Sequence, residues 1–247
     1  QDEMLIGFIL SMIDDLRSAH IPVSAPILSL KDELFISYTG ERYAVFDFIE
    51  AHYFISDRAT WIALAETIGK LNASWNRTGD YFREKVKVFS KRNSSAYFNK
   101  VSTYSLVDIE TINKSIEEEQ DPDVKEMTLS LIKCVRAAAE EVLPRVADLK
   151  KISNHIIHSD LHPHNILIAN NKVAAIIDFD SIRVSDQMRD LGFVIYRCGR
   201  QFFVKNPPHD VKNKKVFMEL VEDFIGEYSK HRPLTSEERG LIKLALK

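Results

Sequence analysis

The chain has 247 residues, of which 45% are hydrophobic and 28% charged, and its 33 Lys and Arg nearly balance 36 Asp and Glu for a formal charge of -3. This composition builds a packed core in one large domain or two lobes, which excludes a mainly disordered chain, and its evenly spread charge offers no basic face for nucleic acid. No apolar run approaches the roughly 20 residues of a membrane helix, and Cys134 and Cys198 stand far apart without a C-x-x-C partner, so a cytoplasmic chain without membrane contact is expected.

Met4, Ile6, Phe8, Ile9, Met12, Ile13 and Leu16 recur at helical spacing and predict an amphipathic helix over 4–19, closed by His20-Ile21-Pro22. Two runs rich in aromatic and β-branched residues follow, 33–38 and 43–49, separated by Thr39-Gly40-Glu41-Arg42, and predict a hairpin. Beyond Glu50 the pattern becomes helical, over 57–75, 123–147 and near 105–119. Short apolar segments return at 156–157, 166–168 and 173–177, joined by polar turns, and predict three strands around loops. Helical periodicity then resumes over 187–205, 211–230 and 235–246, with Pro207, Pro208 and Pro233 at the breaks.

The chemistry-bearing residues concentrate in His155-Ile156-Ile157-His158-Ser159-Asp160-Leu161-His162-Pro163-His164-Asn165-Ile166-Leu167, followed by Ile176-Ile177-Asp178-Phe179-Asp180. The spacing H-x-D-x-x-x-x-N, then strand, turn, strand and D-F-D, suits phosphoryl transfer. An Asp on the loop can orient an acceptor hydroxyl and take its proton, while the Asn and the strand-end Asp can hold Mg²⁺ against nucleotide phosphates. Asp160, Asn165 and Asp178 are the candidates for these roles.

H-S-D-L-H-P-H-N-I-L with I-I-D-F-D resembles the signature of the aminoglycoside phosphotransferase and choline kinase superfamily, with homoserine-kinase-type and spore-coat-kinase-like members nearest in appearance. The resemblance covers about residues 4–205. It implies an α+β, two-lobed protein-kinase-like fold, with a truncated N-lobe of helix plus β-hairpin over 1–49 and a mostly helical C-lobe over 50–247. It also implies ATP and Mg²⁺ as cofactors, and γ-phosphoryl transfer to the hydroxyl of a small molecule such as an aminoglycoside, homoserine or choline. Asp160 would be the base, and His158 would join the catalytic loop by packing beneath the D-F-D turn. Asn165 and Asp178 would hold metal, with Asp180 assisting. The backbone near Asp47 and Ile49 would read the adenine edge. Asp190 would anchor the loop from a helix start. A carboxylate-bearing acceptor would call for an Arg such as Arg183, Arg197 or Arg200.

The chain departs from the superfamily in having neither a G-x-G loop over the phosphates nor a strand bearing the nucleotide lysine before the first helix, as a segment missing from the sequence at hand would explain. The partner of that lysine would be Glu3, unless alignment on Ile21-Pro22 puts Ile9 there. Two other readings stay open. His155, His158, His162 and His164 with Asp160 and Asp178 could ligate a metal in a hydrolase. A pseudokinase or nucleotide-binding module without catalysis is the other. Nothing in the sequence specifies an oligomeric state.

Overall fold

The computed structural model describes residues 3–77, 82–88, 114, 116, 121–145, 148 and 155–245. Helix α1 (Glu3–Ser18) buries Phe8, Leu10, Met12, Ile13 and Leu16. It ends in a left-handed turn at His20, φ 58°, where the Ile21 N–H reaches back to Leu16 O at 2.9 Å and the His20 N–H to Arg17 O at 2.9 Å. These bonds occupy carbonyls that a helix end leaves unpaired. The chain then leaves beside the strand that leads to Asp178, with the Ile176 N–H donating to Pro22 O at 2.9 Å.

The predicted hairpin is tighter than its sequence pattern. Strand β2 (Ile36–Tyr38) pairs with β3 (Glu41–Tyr43), and the turn is Thr39-Gly40, at φ 50° and 83°. Two left-handed residues match the twist of the flanking strands, and glycine takes the second at no steric cost. The run expected as one strand over 43–49 is divided. Tyr43 closes the hairpin opposite Ile36, whereas β4 (Val45–Phe46) is taken by β1 (Pro26–Ile27), which the sequence pattern did not announce. Glu3 belongs to this region too: its carboxylate accepts from Ser37 Oγ at 3.3 Å and lies 4.0 Å from Arg42.

Strand β5 (His52–Tyr53) pairs with β7 (Ile166–Ala169), and β7 pairs with β8 (Lys172–Ile176) through Asn170-Asn171, at φ 52° and 59°. Strand β6 (His155–Ile157) pairs with β9 (Arg183–Ser185). The three expected strands are therefore present but shared between two sheets. Helices α2 (Arg58–Arg77), α3 (Pro122–Val142), α4 (Gln187–Lys205), α5 (Val211–His231) and α6 (Ser236–Ala245) account for the remaining periodic segments. The helix expected to reach 147 stops at Val142 in a 3-10 turn, Leu143–Arg145, because Pro144 has no N–H to continue the ladder. Apart from Lys114 and Ile116, the helix expected near 105–119 lies outside the described residues.

Helix α2 is the hub of the core. Trp61, Leu64, Ile68 and Leu71 are fully buried, and Trp61 meets Phe54, Phe217 and Phe224 edge-on at 5.7–6.3 Å between ring centroids. Gly69 lets α5 approach, since a Cβ there would lie 2.9 Å from Tyr228 O. Phe8, Met12, Ile13 and Leu16 of α1 join the same buried cluster, so the first helix has no core of its own among the described residues. No helix of the described residues is long and apolar enough to cross a membrane.

Candidate active site

Strand β6 runs into the loop that carries Asp160, and that loop is tied down from behind. Asp190, fully buried in the first turn of α4, accepts the His158 N–H at 2.7 Å and the Ser159 N–H at 2.8 Å, one on each carboxylate oxygen. Burial pushes its carboxyl up to about 7, against the pull of those two bonds. The helix's own N-cap is Asp186, whose side chain accepts the Arg189 N–H at 2.7 Å.

His158 is fully buried, and its ring centroid lies 4.7 Å from that of Phe179 in the D-F-D turn. Nε2 pairs with Ile177 O at 3.1 Å and Nδ1 with the Asp160 N–H at 3.3 Å, which assigns the proton to Nε2. Burial brings the ring down to about 4, so it is neutral at physiological pH. Grouped with the catalytic residues on sequence, His158 in fact has both nitrogens committed and none free to move a proton.

Asn165, 5% exposed, sits in the 3-10 turn Pro163–Asn165 that closes the loop. Its Nδ2 donates to Asp160 O at 2.9 Å and toward Asp160 Oδ2 at 3.3 Å. The amide's donors are thereby used, and its Oδ1 is left without a partner among the described residues. The Asn165 carbonyl accepts the Ile177 N–H at 3.1 Å, which joins the loop to the residue before Asp178. Asp178 takes a left-handed conformation, φ 63°, at the end of β8 and makes no side-chain cap to the turn it starts, so its carboxylate stays exposed. Asp180 follows on the same turn. Its carboxyl is raised by partial burial first and by the charge of Asp178 second. One amide oxygen and two carboxylates that disfavour each other are hard donors of the kind Mg²⁺ takes.

The profile of the phosphotransferase enzyme family (APH) matches residues 5–213, which include this loop and the D-F-D strand. The chain belongs to the phosphotransferase enzyme family. As a member it is an enzyme of the phosphotransferase kind, and it has the kinase-like fold. Solved structures agree on the fold. An amicoumacin kinase in complex with AMP-PNP, Ca²⁺ and Ami superposes with a TM-score of 0.68 at 15% identity, covering 100% of this chain and 67% of that one. An aminoglycoside phosphotransferase from Alicyclobacillus acidocaldarius gives 0.65 at 15% identity, covering 97% and 70%. A glucosamine kinase gives 0.52 at 14% identity, covering 96% and 61%. No curated protein matches the sequence.

In this phosphotransferase the four clustered histidines go to separate tasks. His155 turns to α2, where Nδ1 meets Asn76 Oδ1 at 3.0 Å, and His158 is buried as described. His164 is exposed and meets the Tyr53 ring edge-on at 5.2 Å. His162 accepts the His164 N–H on Nδ1 at 3.2 Å and brings Nε2 within 3.5 Å of Asp160 Oδ2. Among the described residues no three His, Cys, Asp or Glu side chains converge as a metal-binding group, which leaves the histidine-metal hydrolase without its ligand set. The nearness of His162 to Asp160 was not read from sequence; its position two residues beyond the Asp was the available signal.

At the segment expected to read adenine, the two backbone positions differ. The Asp47 N–H donates to Ala25 O at 3.0 Å and its carbonyl accepts from Ser24 Oγ at 2.8 Å. The backbone of Ile49 has no partner among the described residues. Of the arginines weighed for an acceptor carboxylate, Arg183 Nε donates to Ser181 O at 3.2 Å. Arg197 and Arg200 lie over the rings of Phe193 and Tyr196 on their own helix, at 5.7 and 6.0 Å.

Proposed function

We propose that this phosphotransferase moves the γ-phosphoryl group of ATP, in a Mg²⁺-dependent reaction, to a hydroxyl of a small molecule of the aminoglycoside, homoserine or choline type. ATP lies between a partial N-lobe over 1–49 and a C-lobe over 50–247. The observation that carries this reading is the arrangement of Asp160, Asn165 and Asp178. One carboxylate sits on an anchored loop, held by an amide whose free oxygen looks away from it, and the loop is tied to the strand end that presents the second carboxylate. The amicoumacin kinase of the same fold, in complex with AMP-PNP and Ca²⁺, lends support to a nucleotide and a divalent cation at such a site.

In this reading Asp160 orients the acceptor hydroxyl and takes its proton as the oxygen bonds to the γ-phosphorus and the bond to the β-phosphate oxygen breaks, releasing ADP. Asn165 Oδ1 and the carboxylates of Asp178 and Asp180 hold Mg²⁺, which when bound neutralises phosphate charge. The free backbone groups of Ile49 hydrogen-bond the adenine edge, with the second lone pair of the Asp47 carbonyl beside them. Calorimetric titration with AMP-PNP, with and without Mg²⁺, tests the reading in wild type and Asp178→Ala. Mg²⁺-dependent binding that the variant loses is expected, followed by ADP release when candidate alcohols are screened. Absence of nucleotide binding would overturn it; binding without transfer to water or to any alcohol would favour the pseudokinase.

A further inference from the structure

Two donors converge on the same oxygen of Asp160. Asn165 Nδ2 approaches Oδ2 at 3.3 Å, and His162 Nε2 approaches it at 3.5 Å. No described group makes a hydrogen bond or ion pair with Oδ1. The His162 ring is oriented independently of Asp160, because its Nδ1 accepts the His164 N–H at 3.2 Å and so caps the 3-10 turn Pro163–Asn165. An imidazole that accepts on Nδ1 carries its proton on Nε2, the atom that faces the carboxylate. His162 is only 21% exposed, and its ring is held edge-on to His164 at 5.6 Å, so it does not swing freely.

From this geometry we infer that His162 is a positioning residue: with Asn165 it pins Oδ2 of Asp160 and leaves Oδ1 as the atom that takes the acceptor's proton. The inference rests on the proposed function for what Asp160 does, but its geometry stands apart from that reading. A carboxylate held through one oxygen does not rotate freely, so the same oxygen, Oδ1, stays available to an incoming hydroxyl. The 3.5 Å approach is long for a hydrogen bond, and such contacts tighten when substrates close the site. Asn165 alone would leave Oδ2 with one long bond from an amide that is also committed to the Asp160 carbonyl.

Two substitutions separate this role from support of the turn. His162→Asn keeps an acceptor near Nδ1 for the His164 N–H and removes the donor that reaches Asp160, while His162→Gln places an amide N–H near the position of Nε2. Turnover is read as phosphate release from Mg–ATP with water as acceptor, so the unidentified alcohol is not needed. Expected is a fall in kcat of roughly ten- to hundredfold in His162→Asn at an unchanged KM for ATP and an unchanged melting temperature, with most of the rate restored in His162→Gln. A second readout needs no activity. In ¹⁵N-histidine spectra of the full chain at neutral pH, His162 should be the Nε2–H tautomer, and Asp160→Asn should shift its Nε2 signal. His162 as the Nδ1–H tautomer, or an Nε2 signal indifferent to Asp160→Asn, overturns the inference even if the enzyme turns over. Wild-type rates in His162→Asn, or equal losses in the Asn and Gln variants, overturn it as well. A wild-type chain that binds no nucleotide would instead sink the proposed function, and the tautomer result would still decide the geometry.

Discussion

The ring of His158 lies 4.7 Å from that of Phe179, and its two nitrogens hold the carbonyl of Ile177 and the N–H of Asp160. One buried imidazole therefore joins the loop bearing Asp160 to the turn bearing Asp178. Burial brings it down to about 4 from an ordinary 6.5, so the folded chain binds fewer protons than the unfolded one between those values. The stability of the neutral ring is complete above about pH 6.5 and is lost as pH falls toward 4. At about 1.4 kcal/mol per pH unit, the window is worth about 3 kcal/mol. His158→Ala, which also leaves the Ile177 carbonyl unpaired, should lower stability by about 3 kcal/mol at pH 7. Denaturant midpoints check this, and a loss below about 1 kcal/mol would contradict it.

Asp190 acts with the opposite sign. Its carboxyl is pushed up to about 7 from an ordinary 3.8, so the folded state binds more protons in that range and stability declines as pH rises through it. Between about pH 4 and 6.5 the two buried groups therefore offset each other. Asp190→Asn removes the titration and should uncover the slope of His158, with stability that falls by about 2 kcal/mol more than wild type between pH 6.5 and 4.5. The variant also leaves the His158 or Ser159 N–H facing an amide, so turnover should drop as the loop loosens. Parallel pH profiles for wild type and variant would refute the offset.

What was legible in the sequence was local. Trp61, Leu64, Ile68 and Leu71 fall on one face of α2 by spacing alone, and the loop residues Asp160 and Asn165 keep a fixed offset because a single turn joins them. What stayed hidden depends on partners distant in the chain. Pro26–Ile27 becomes a strand because Val45–Phe46 lies beside it, and two residues carry no period that could announce this. His52–Tyr53 likewise owes its extended form to Leu167 and Ile168. Asp186 and Asp190 both stand at the start of α4 with no local pattern to separate them: resemblance alone points to Asp190 as the loop anchor, and the approach of β6 leaves Asp186 to cap the helix.

Ser159 pays a conformational cost at the same loop. It sits at φ 71°, and its Oγ is buried without a hydrogen-bond partner among the described residues. A non-glycine residue in the left-handed region costs about 1 kcal/mol or more, and a buried hydroxyl without a partner adds roughly as much. Glycine gives back part of this through the entropy of the unfolded chain, about 0.5–1 kcal/mol. Ser159→Gly should therefore raise stability by about 1 kcal/mol, or about 2–4 °C in melting temperature, with turnover retained. Ser159→Ala, which removes the hydroxyl and keeps the strained backbone, should gain less. A glycine variant less stable than the alanine one would show that the left-handed residue is not strained.

Arg232 and Glu238 form a buried ion pair, with side chains 7% and 5% exposed, that closes the turn between α5 and α6. Glu238 also accepts the Thr235 N–H at 2.9 Å while Thr235 Oγ1 accepts the Glu238 N–H at 3.1 Å, the reciprocal capping of a T-x-x-E helix start. Taking two charges out of water is costly, so the pair adds little net stability, but removal of one partner strands the other. Arg232→Ala should cost about 3–5 kcal/mol, whereas Arg232→Met combined with Glu238→Leu should cost only about 1–2 kcal/mol, mostly the lost cap. Chemical denaturation of the two variants against wild type measures the difference. If the double variant is the less stable of the two, desolvation is not what limits the pair, and its direct attraction outweighs the cost of burial.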